Sequence, residues 1–317
     1  MTVITAMKFN PKEGAMVADE RSSGGMRQYD IATKIHLFSN GGNAKVVAGG
    51  SGVSDILYET VNKASEEIEK NKKEILNAKT IVEVLAYALS KMKRNLIESY
   101  LKSTFGLSEV NFQTGVIIMP DGTKSNIDPL LAQKYQQIIF PDERSGSYIT
   151  NNDFLALASD ENGVEIYHAS MNMGTPITIS RPYECIGSGR DMADGELYNF
   201  FEKIPRGLRN EIHPISGIAA LLSAVEKASV RNVGVGGTPI IYIMKEGQVT
   251  NPSENNSRLA VEMIKGLREN LLPEGFVDKA LESLLFHDMD YEEVEEEMWK
   301  VVKGKTKLDH LLRGYKI

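Results

Sequence analysis

Four residues in the first fifty could together carry out acyl transfer. Thr2 follows Met1, and Asp19, Lys34 and Gly49 come later in the same stretch. A threonine hydroxyl is a weak nucleophile and needs an adjacent base. Removal of Met1, which is favourable before a residue as small as threonine, would give Thr2 a free α-amine with an ordinary pKa of about 7.7–8. One residue would then supply both the nucleophile and its base.

The other three residues are of the types that would assist such a nucleophile. A lysine ammonium near Thr2 would lower the pKa of the amine and hold the hydroxyl, and an acid paired with the lysine would keep it charged. A glycine N–H at a strand–helix junction could stabilise an oxyanion. Residue types alone leave a plain structural role open, in which Asp19 is a turn residue and Lys34 a solvated strand end. That role is the commoner one for such residues.

Four short strands are predicted to position these residues. Loose alternation around turn-forming sequences predicts two antiparallel hairpins, one after the other. The predicted strands are residues 2–9, 15–19, 34–38 and 44–50.

Two helices are predicted to follow these strands. The first has an apolar face formed by Leu57, Val61, Ala64 and Ile68. The second begins at Thr80, with Glu83 three residues later as a capping box. It runs to about residue 100 or 102.

The rest of the chain repeats the order of strands and then helices. Strands are predicted at 154–159, 164–169, 176–186, 239–244 and 248–250, and helices after residue 189, at 215–228 and beyond 253. This order predicts an α+β fold, a four-layer αββα sandwich of two antiparallel sheets. Residues 1–252 are predicted to form this domain, with an insertion at about 105–150, and residues 253–317 a helical C-terminal extension.

Composition narrows the function classes. The 317 residues carry a net charge of −7, which argues against a nucleic-acid partner. The longest apolar run, residues 217–225, is half of the ~20 residues that a spanning helix needs, so no membrane association is expected. The amino terminus does not read as a secretory signal, and Cys185 is the single cysteine, so we expect a cytoplasmic protein. The five histidines make no metal spacing, and no metal or cofactor is expected.

The order of several motifs resembles the proteasome β-type subunits, a family of N-terminal nucleophile hydrolases that includes simpler bacterial relatives. Those subunits open with a catalytic threonine on the first strand. The further motifs that carry the resemblance are Ala18-Asp19-Glu20-Arg21, Thr33-Lys34-Ile35, Ala48-Gly49-Gly50, Gly187-Ser188-Gly189 and the loop from Arg231 to Gly237. They cover about residues 2–60 and 153–250. We expect no propeptide before Thr2, as in the simpler bacterial relatives, so only the removal of Met1 would be needed.

The resemblance implies a role for each matching residue. Thr2 would be the nucleophile and base of a threonine peptidase, Asp19 and Lys34 would tune it, and the Gly49 N–H would form the oxyanion hole. Ser188 would hydrogen-bond near the amine. The remaining implied positions are Ser23 and Ser51 beside an extended peptide substrate, Val47 at the first specificity pocket, and Asn232 in the last loop.

The last loop departs from the family pattern. Asn232 stands where the family has an aspartate, and Val235 where it has a serine. Three functions therefore stay open: a peptidase or amide hydrolase assembled as a homo-oligomeric ring, a non-catalytic ring or scaffold subunit, and an N-terminal threonine ligase or transpeptidase. The resemblance also raises an ATPase as a partner without identifying it.

Overall fold

The computed structural model describes residues 2–24, 27–29, 34–74, 77–119, 121–139, 151–231, 235–287 and 289–312. The strands are β1 (Ile4–Asn10), β2 (Glu13–Ala18), β3 (Ser22–Gly24), β4 (Arg27–Tyr29), β5 (Ile35–Ser39), β6 (Lys45–Ser51), β7 (Val116–Ile118), β8 (Lys124–Asn126), β9 (Asp153–Asp160), β10 (Gly163–Ser170), β11 (Ile177–Thr178), β12 (Tyr183–Ile186), β13 (Ile240–Lys245) and β14 (Gln248–Thr250). The helices are α1 (Ser54–Lys70), α2 (Ala78–Phe105), α3 (Glu109–Thr114), α4 (Pro129–Ile139), α5 (Arg190–Glu202), α6 (Pro214–Arg231), α7 (Glu254–Arg268), α8 (Glu274–Phe286), α9 (Tyr291–Val301) and α10 (Lys305–Leu312).

Two five-stranded antiparallel sheets face each other, as the sequence predicts. The first has the strand order β12-β1-β2-β13-β14, and the second has the order β11-β10-β9-β6-β5. Side chains alternate along each strand, so one face of each sheet meets the other sheet and one meets helices. On β1, Ile4 and Ala6 pack between the sheets, whereas Met7 and Phe9 face the helices. The predicted αββα sandwich is confirmed.

A helix layer covers each outer face. Helices α1 and α2 pack on the second sheet, and α5 and α6 pack on the first. The predicted capping box at Thr80 is wrong, because the helix begins earlier: Asn77 is the N-cap, and its side chain accepts a hydrogen bond from the Thr80 N–H. Asparagine is as good a cap as serine or threonine, which explains why the helix can begin at Asn77.

The predicted single strand at 176–186 is two strands in different sheets. Residues 177–178 pair with β10, and residues 183–186 pair with β1. Between them the chain crosses from one sheet to the other. Pro182 lies at the end of this crossing and has no N–H to give to a ladder, so it separates the two strands.

The segment that was predicted as an insertion has a small core of its own. The core joins the end of α2 to α3 and α4, and its buried members are Ile97, Leu101, Phe112, Ile127 and Tyr135. Strands β7 and β8 form a separate two-stranded ribbon beside it. Residues 140–150 of the predicted insertion lie outside the described part of the chain. The boundaries of this insertion stay a prediction.

The C-terminal helices share a core with the sandwich. Residues of α7, α8 and α9 belong to the same buried cluster as α6. A buried Glu226 on α6 pairs with Arg268 on α7, and the buried Asn256 donates to the Leu284 carbonyl at 3.1 Å. The division at residue 252 stays a prediction. Within the described residues, no helix has the length and apolar composition that crossing a membrane requires.

Candidate active site

Thr2 is held at the start of β1 by the turn that precedes α5. Its N–H donates to Ser188 Oγ at 3.1 Å, and its carbonyl accepts from the Gly189 N–H at 3.1 Å. This close approach requires Gly187, which has a φ of +95°. A side chain there would place Cβ 2.3 Å from the Thr2 carbonyl oxygen. The predicted Gly-Ser-Gly motif thus contacts Thr2 directly.

A buried ion pair lies one residue further along the strand. Lys34 Nζ donates to Asp19 Oδ1 at 2.7 Å, and the Val3 N–H donates to the same oxygen at 2.8 Å. The other carboxylate oxygen accepts from the Gly236 N–H at 3.2 Å. Asp19 is 1% exposed and Lys34 is 7% exposed. Lys34 is therefore neither a solvated strand end nor a free lysine, and Asp19 is more than a turn residue.

The surroundings of Asp19 shift its acidity. Burial raises the pKa of Asp19, while the charge and hydrogen bond of Lys34 and the two backbone N–H groups lower it by less. The carboxylate therefore takes up a proton at a higher pH than an exposed aspartate, whose ordinary pKa is about 3.9. Without Lys34 this shift would be larger, since its two largest opposing contributions would be lost.

Gly49 lies on the inner face of β6, beneath the start of β1. A Cβ at this position would be 2.8 Å from Ile4 Cγ2 and 3.1 Å from Ile4 Cδ1. Because Gly49 has no side chain, the two sheets can approach each other closely at Ile4, which is two residues after Thr2. The oxyanion role that the resemblance implies for the Gly49 N–H stays a prediction.

Substitution of Gly49→Ala is expected to destabilise the fold by about 1–3 kcal/mol, because the added methyl overpacks the space against Ile4. The measurement is the free energy of unfolding in urea. Gly195→Ala on α5 is the matched control, since a Cβ there meets nothing within 4 Å. An alanine in a helix should stabilise by about 0.5–1 kcal/mol. Equal effects of the two substitutions would contradict the close approach at Gly49.

The three predicted substrate residues differ in their placement. Ser51 ends β6, and its Oγ is 3.3 Å from the position that a Cβ would take at Gly187, so it lies next to the turn that holds Thr2. Val47 is buried in the core between the sheets. Ser23 lies in the short strand β3. Asn232 lies outside the described residues, so the role that the resemblance implies for it stays a prediction.

Two contributions to the site were missed in the sequence. The first is the backbone of Gly236, within the loop whose motif was noted in the sequence: its N–H bonds Asp19, and its carbonyl accepts from the Arg21 N–H at 2.9 Å. Glu20 Oε2 accepts from the Thr238 N–H at 3.1 Å and fixes the same loop. These partners are more than 200 residues apart, so no local pattern could have paired them.

The second is Asn152, which supports the turn after Ser51. Its Oδ1 accepts from the Val53 N–H at 2.8 Å, and the side chain is fully buried. A buried asparagine must be hydrogen-bonded, but nothing in the local sequence distinguishes it from its exposed neighbour Asn151.

The single cysteine is an unsuitable nucleophile. Cys185 is buried on β12, and burial raises the pKa of its thiol well above the ordinary value. The thiolate is the reactive form of cysteine, so Cys185 is inert near neutral pH. Among the described residues, no group of three or more histidine, cysteine, aspartate or glutamate side chains could hold a metal ion.

The fold is similar to that of a beta-subunit in solved structures. Anbu (ancestral beta-subunit) from Yersinia bercovieri matches with a TM-score of 0.56 and 16% identity, covering 85% of this chain and 95% of that chain. An Anbu (Gly-1) mutant from Hyphomicrobium sp. strain MC1 matches with a TM-score of 0.51 and 12% identity, covering 79% and 85%. No family model matches the chain, and no curated protein matches its sequence. The similarity shows that this chain shares its fold with the two Anbu structures.

These comparisons correct the family assignment that was made from the sequence motifs. The sequence motifs predicted membership of the proteasome β-subunit-like family of N-terminal threonine hydrolases. This prediction is wrong, because the structural matches are to Anbu and no family model matches the chain. The motifs identified a related fold, since short glycine and acid motifs mark the turns of that fold. They did not identify a hydrolase family.

Proposed function

We propose that this chain cleaves amide bonds in peptides or polypeptides, with Thr2 as the nucleophile after loss of Met1. The observation that carries the proposal is the shared oxygen of Asp19. Its Oδ1 accepts from both Lys34 Nζ and the Val3 N–H, which brings a buried ammonium to the residue that follows Thr2. The proteasome-like fold of Anbu, described as a beta-subunit, supports a hydrolase that works as part of an assembly.

The mechanism would use two successive acyl transfers. The free amine of Thr2 takes the hydroxyl proton while Oγ1 attacks the substrate carbonyl, and the amine then delivers that proton to the leaving nitrogen. This gives an ester on Thr2 and a released amine product. Water, deprotonated by the same amine, then attacks the ester carbonyl; the bond to Oγ1 breaks, the amine returns the proton to Oγ1, and a carboxylic acid is released. Lys34 would stabilise negative charge near Oγ1, and the Gly49 N–H would stabilise the oxyanion.

The remaining implied residues would orient the reactants. Ser188 would fix the Thr2 nitrogen, as its 3.1 Å contact suggests. Ser51 would contact the substrate beside Thr2, with Ser23 at a neighbouring subsite, and Asn232 would act from the loop that follows α6; Val47, buried between the sheets, is left without a substrate contact. Copies of the chain would assemble into a ring.

Incubation with a permanently unfolded polypeptide tests this function. We expect new amino and carboxyl termini, detected by mass spectrometry of the products, that are absent with the Thr2→Ala variant. Repeating the reaction with added glycinamide separates hydrolysis from ligation, because a transpeptidase would give glycinamide conjugates. Unchanged polypeptide after incubation with a chain that has lost Met1 would contradict the proposal.

A non-catalytic subunit is the second candidate. It is favoured by Val235, which occupies the position of a family serine and is buried in the core beside α5 and α6. An apolar side chain there can make no hydrogen bond toward Thr2. Retention of Met1 on the intact protein, measured by mass, would favour this candidate, because a blocked amine cannot act as the base.

Substitution of Ser188→Ala is expected to lower kcat/KM by about three- to tenfold, since one hydrogen bond to the Thr2 nitrogen is lost. Peptide-cleavage kinetics measure the effect. The control is Ser65→Ala, at an exposed position of α1, which should leave the rate unchanged. A rate for Ser188→Ala equal to that of the control would show that the contact does not orient Thr2.

A further inference from the structure

A cavity away from the Thr2 site lies between the small core of residues 97–135 and the sandwich. It is an open cleft of about 570 Å³, lined by residues of α2 and α3 and by the turn after β10. This volume is within the range of about 300–1,000 Å³ that is typical of small-molecule sites. None of the residues placed at the Thr2 site lines the cleft.

Two cations line the cleft. Lys93 Nζ donates to Asn172 Oδ1 at 3.0 Å, and the adjacent Arg94 is exposed on the same wall. The acid on the opposite wall is Glu109, whose Oε1 accepts from Gln113 Nε2 at 3.2 Å and from the Tyr135 hydroxyl at 3.3 Å. The cleft is therefore locally cationic in a chain whose net charge is −7.

The charge of Lys93 is incompletely compensated. Partial burial lowers the pKa of Lys93, and the charge of Glu109 opposes this effect only in part. The ammonium is thus held where it has lost hydration without gaining an equivalent anionic partner. An anion bound in the cleft would supply that partner.

The remaining lining fixes the class of ligand. Ile97 and Met171 are almost fully buried beneath the cleft, whereas Met173 is 48% exposed. Thioether side chains adapt to irregular apolar shapes. We infer that this cleft binds a small organic anion, whose acidic group lies between Lys93 and Arg94 and whose apolar part packs against the exposed side chain of Met173.

Fluorescence titration of the full chain with 1-anilinonaphthalene-8-sulfonate tests the inference. Each of Lys93→Met and Arg94→Met is expected to weaken binding by about tenfold or more, because a charge-assisted hydrogen bond is lost. Lys91→Met is the control, since Lys91 is exposed on the same helix but does not line the cleft. Uncharged N-phenyl-1-naphthylamine should bind much more weakly than the sulfonate.

Two further measurements make the test decisive. An unchanged unfolding midpoint for each variant shows that it is folded, and binding by Thr2→Ala should equal that of the unchanged chain, because the cleft is independent of the proposed catalysis. The inference is overturned if Lys93→Met and Arg94→Met bind the sulfonate as tightly as Lys91→Met does. It is equally overturned if the neutral probe binds as tightly as the sulfonate, or if the unchanged chain does not bind the sulfonate.

Discussion

Thr2→Ala is expected to lower kcat for peptide cleavage by about four orders of magnitude or more, while leaving the fold intact. Loss of a nucleophile removes the acyl-enzyme route altogether, which costs far more than the loss of an orienting group. Thr2 contacts its surroundings through its backbone, at Ser188 and Gly189. Removal of its side chain should therefore change the free energy of unfolding little.

Two matched variants define this result. Thr2→Ser keeps a hydroxyl and an amine on one residue and should keep measurable activity. Thr123→Ala removes an exposed hydroxyl in the β7–β8 turn that bonds only locally, to Asp121, and should have no effect. Cleavage by Thr2→Ala at the rate of the unchanged chain would contradict the proposed nucleophile.

Lys34→Met is expected to destabilise the protein by about 3–5 kcal/mol at pH 7, because it leaves the carboxylate of Asp19 buried without its cation. The free energy of unfolding in urea measures this cost. Replacing both partners, as Lys34→Met with Asp19→Asn, should recover part of the loss, since no uncompensated charge stays buried.

The cost of Lys34→Met should depend on pH. Burial already raises the pKa of Asp19 while Lys34 opposes the shift, so loss of Lys34 raises the folded-state pKa further. The folded state then binds a proton more readily than the unfolded state. Protonated Asp19 therefore stabilises the folded variant, and this stabilisation is lost as the pH rises through the pKa of Asp19 in the folded state. The destabilisation should therefore be smaller near pH 4 than at pH 7.

The partly exposed pair of Lys8 and Glu165 provides the control for this prediction. Its side chains are 28% and 42% exposed at a separation of 2.6 Å. Lys8→Met should cost less than about 1 kcal/mol. Similar costs for Lys34→Met and Lys8→Met would show that burial of the Asp19 pair has no energetic consequence.

The layers of the fold could be predicted because they rest on local patterns. Alternation predicts β1 and β2, and the apolar face of Leu57 to Ile68 predicts α1, since each pattern is complete within one element. The crossing at residues 179–182 was missed because the chain stays extended on both sides of it. Only the pairing partners show that the chain changes sheets.

The candidate site was predictable to the extent that its groups lie near strand ends. Thr2, Asp19, Lys34 and Gly49 stand at the ends of strands that pair or face each other, so their proximity follows from the sandwich. The Gly236 contact to Asp19 and the Asn152 contact to Val53 depend on loops brought together by the whole fold. Val47 was expected near substrate, but its place on β6 directs it into the core between the sheets.

Reaction with an activated peptide ester, followed by intact-mass measurement and peptide mapping, tests the central claim most directly. The proposal predicts chains that lack Met1 and carry one acyl group, located on Thr2 and absent from the Thr2→Ala variant. Retention of Met1 on every chain, or acylation at another residue with none on Thr2, would contradict it.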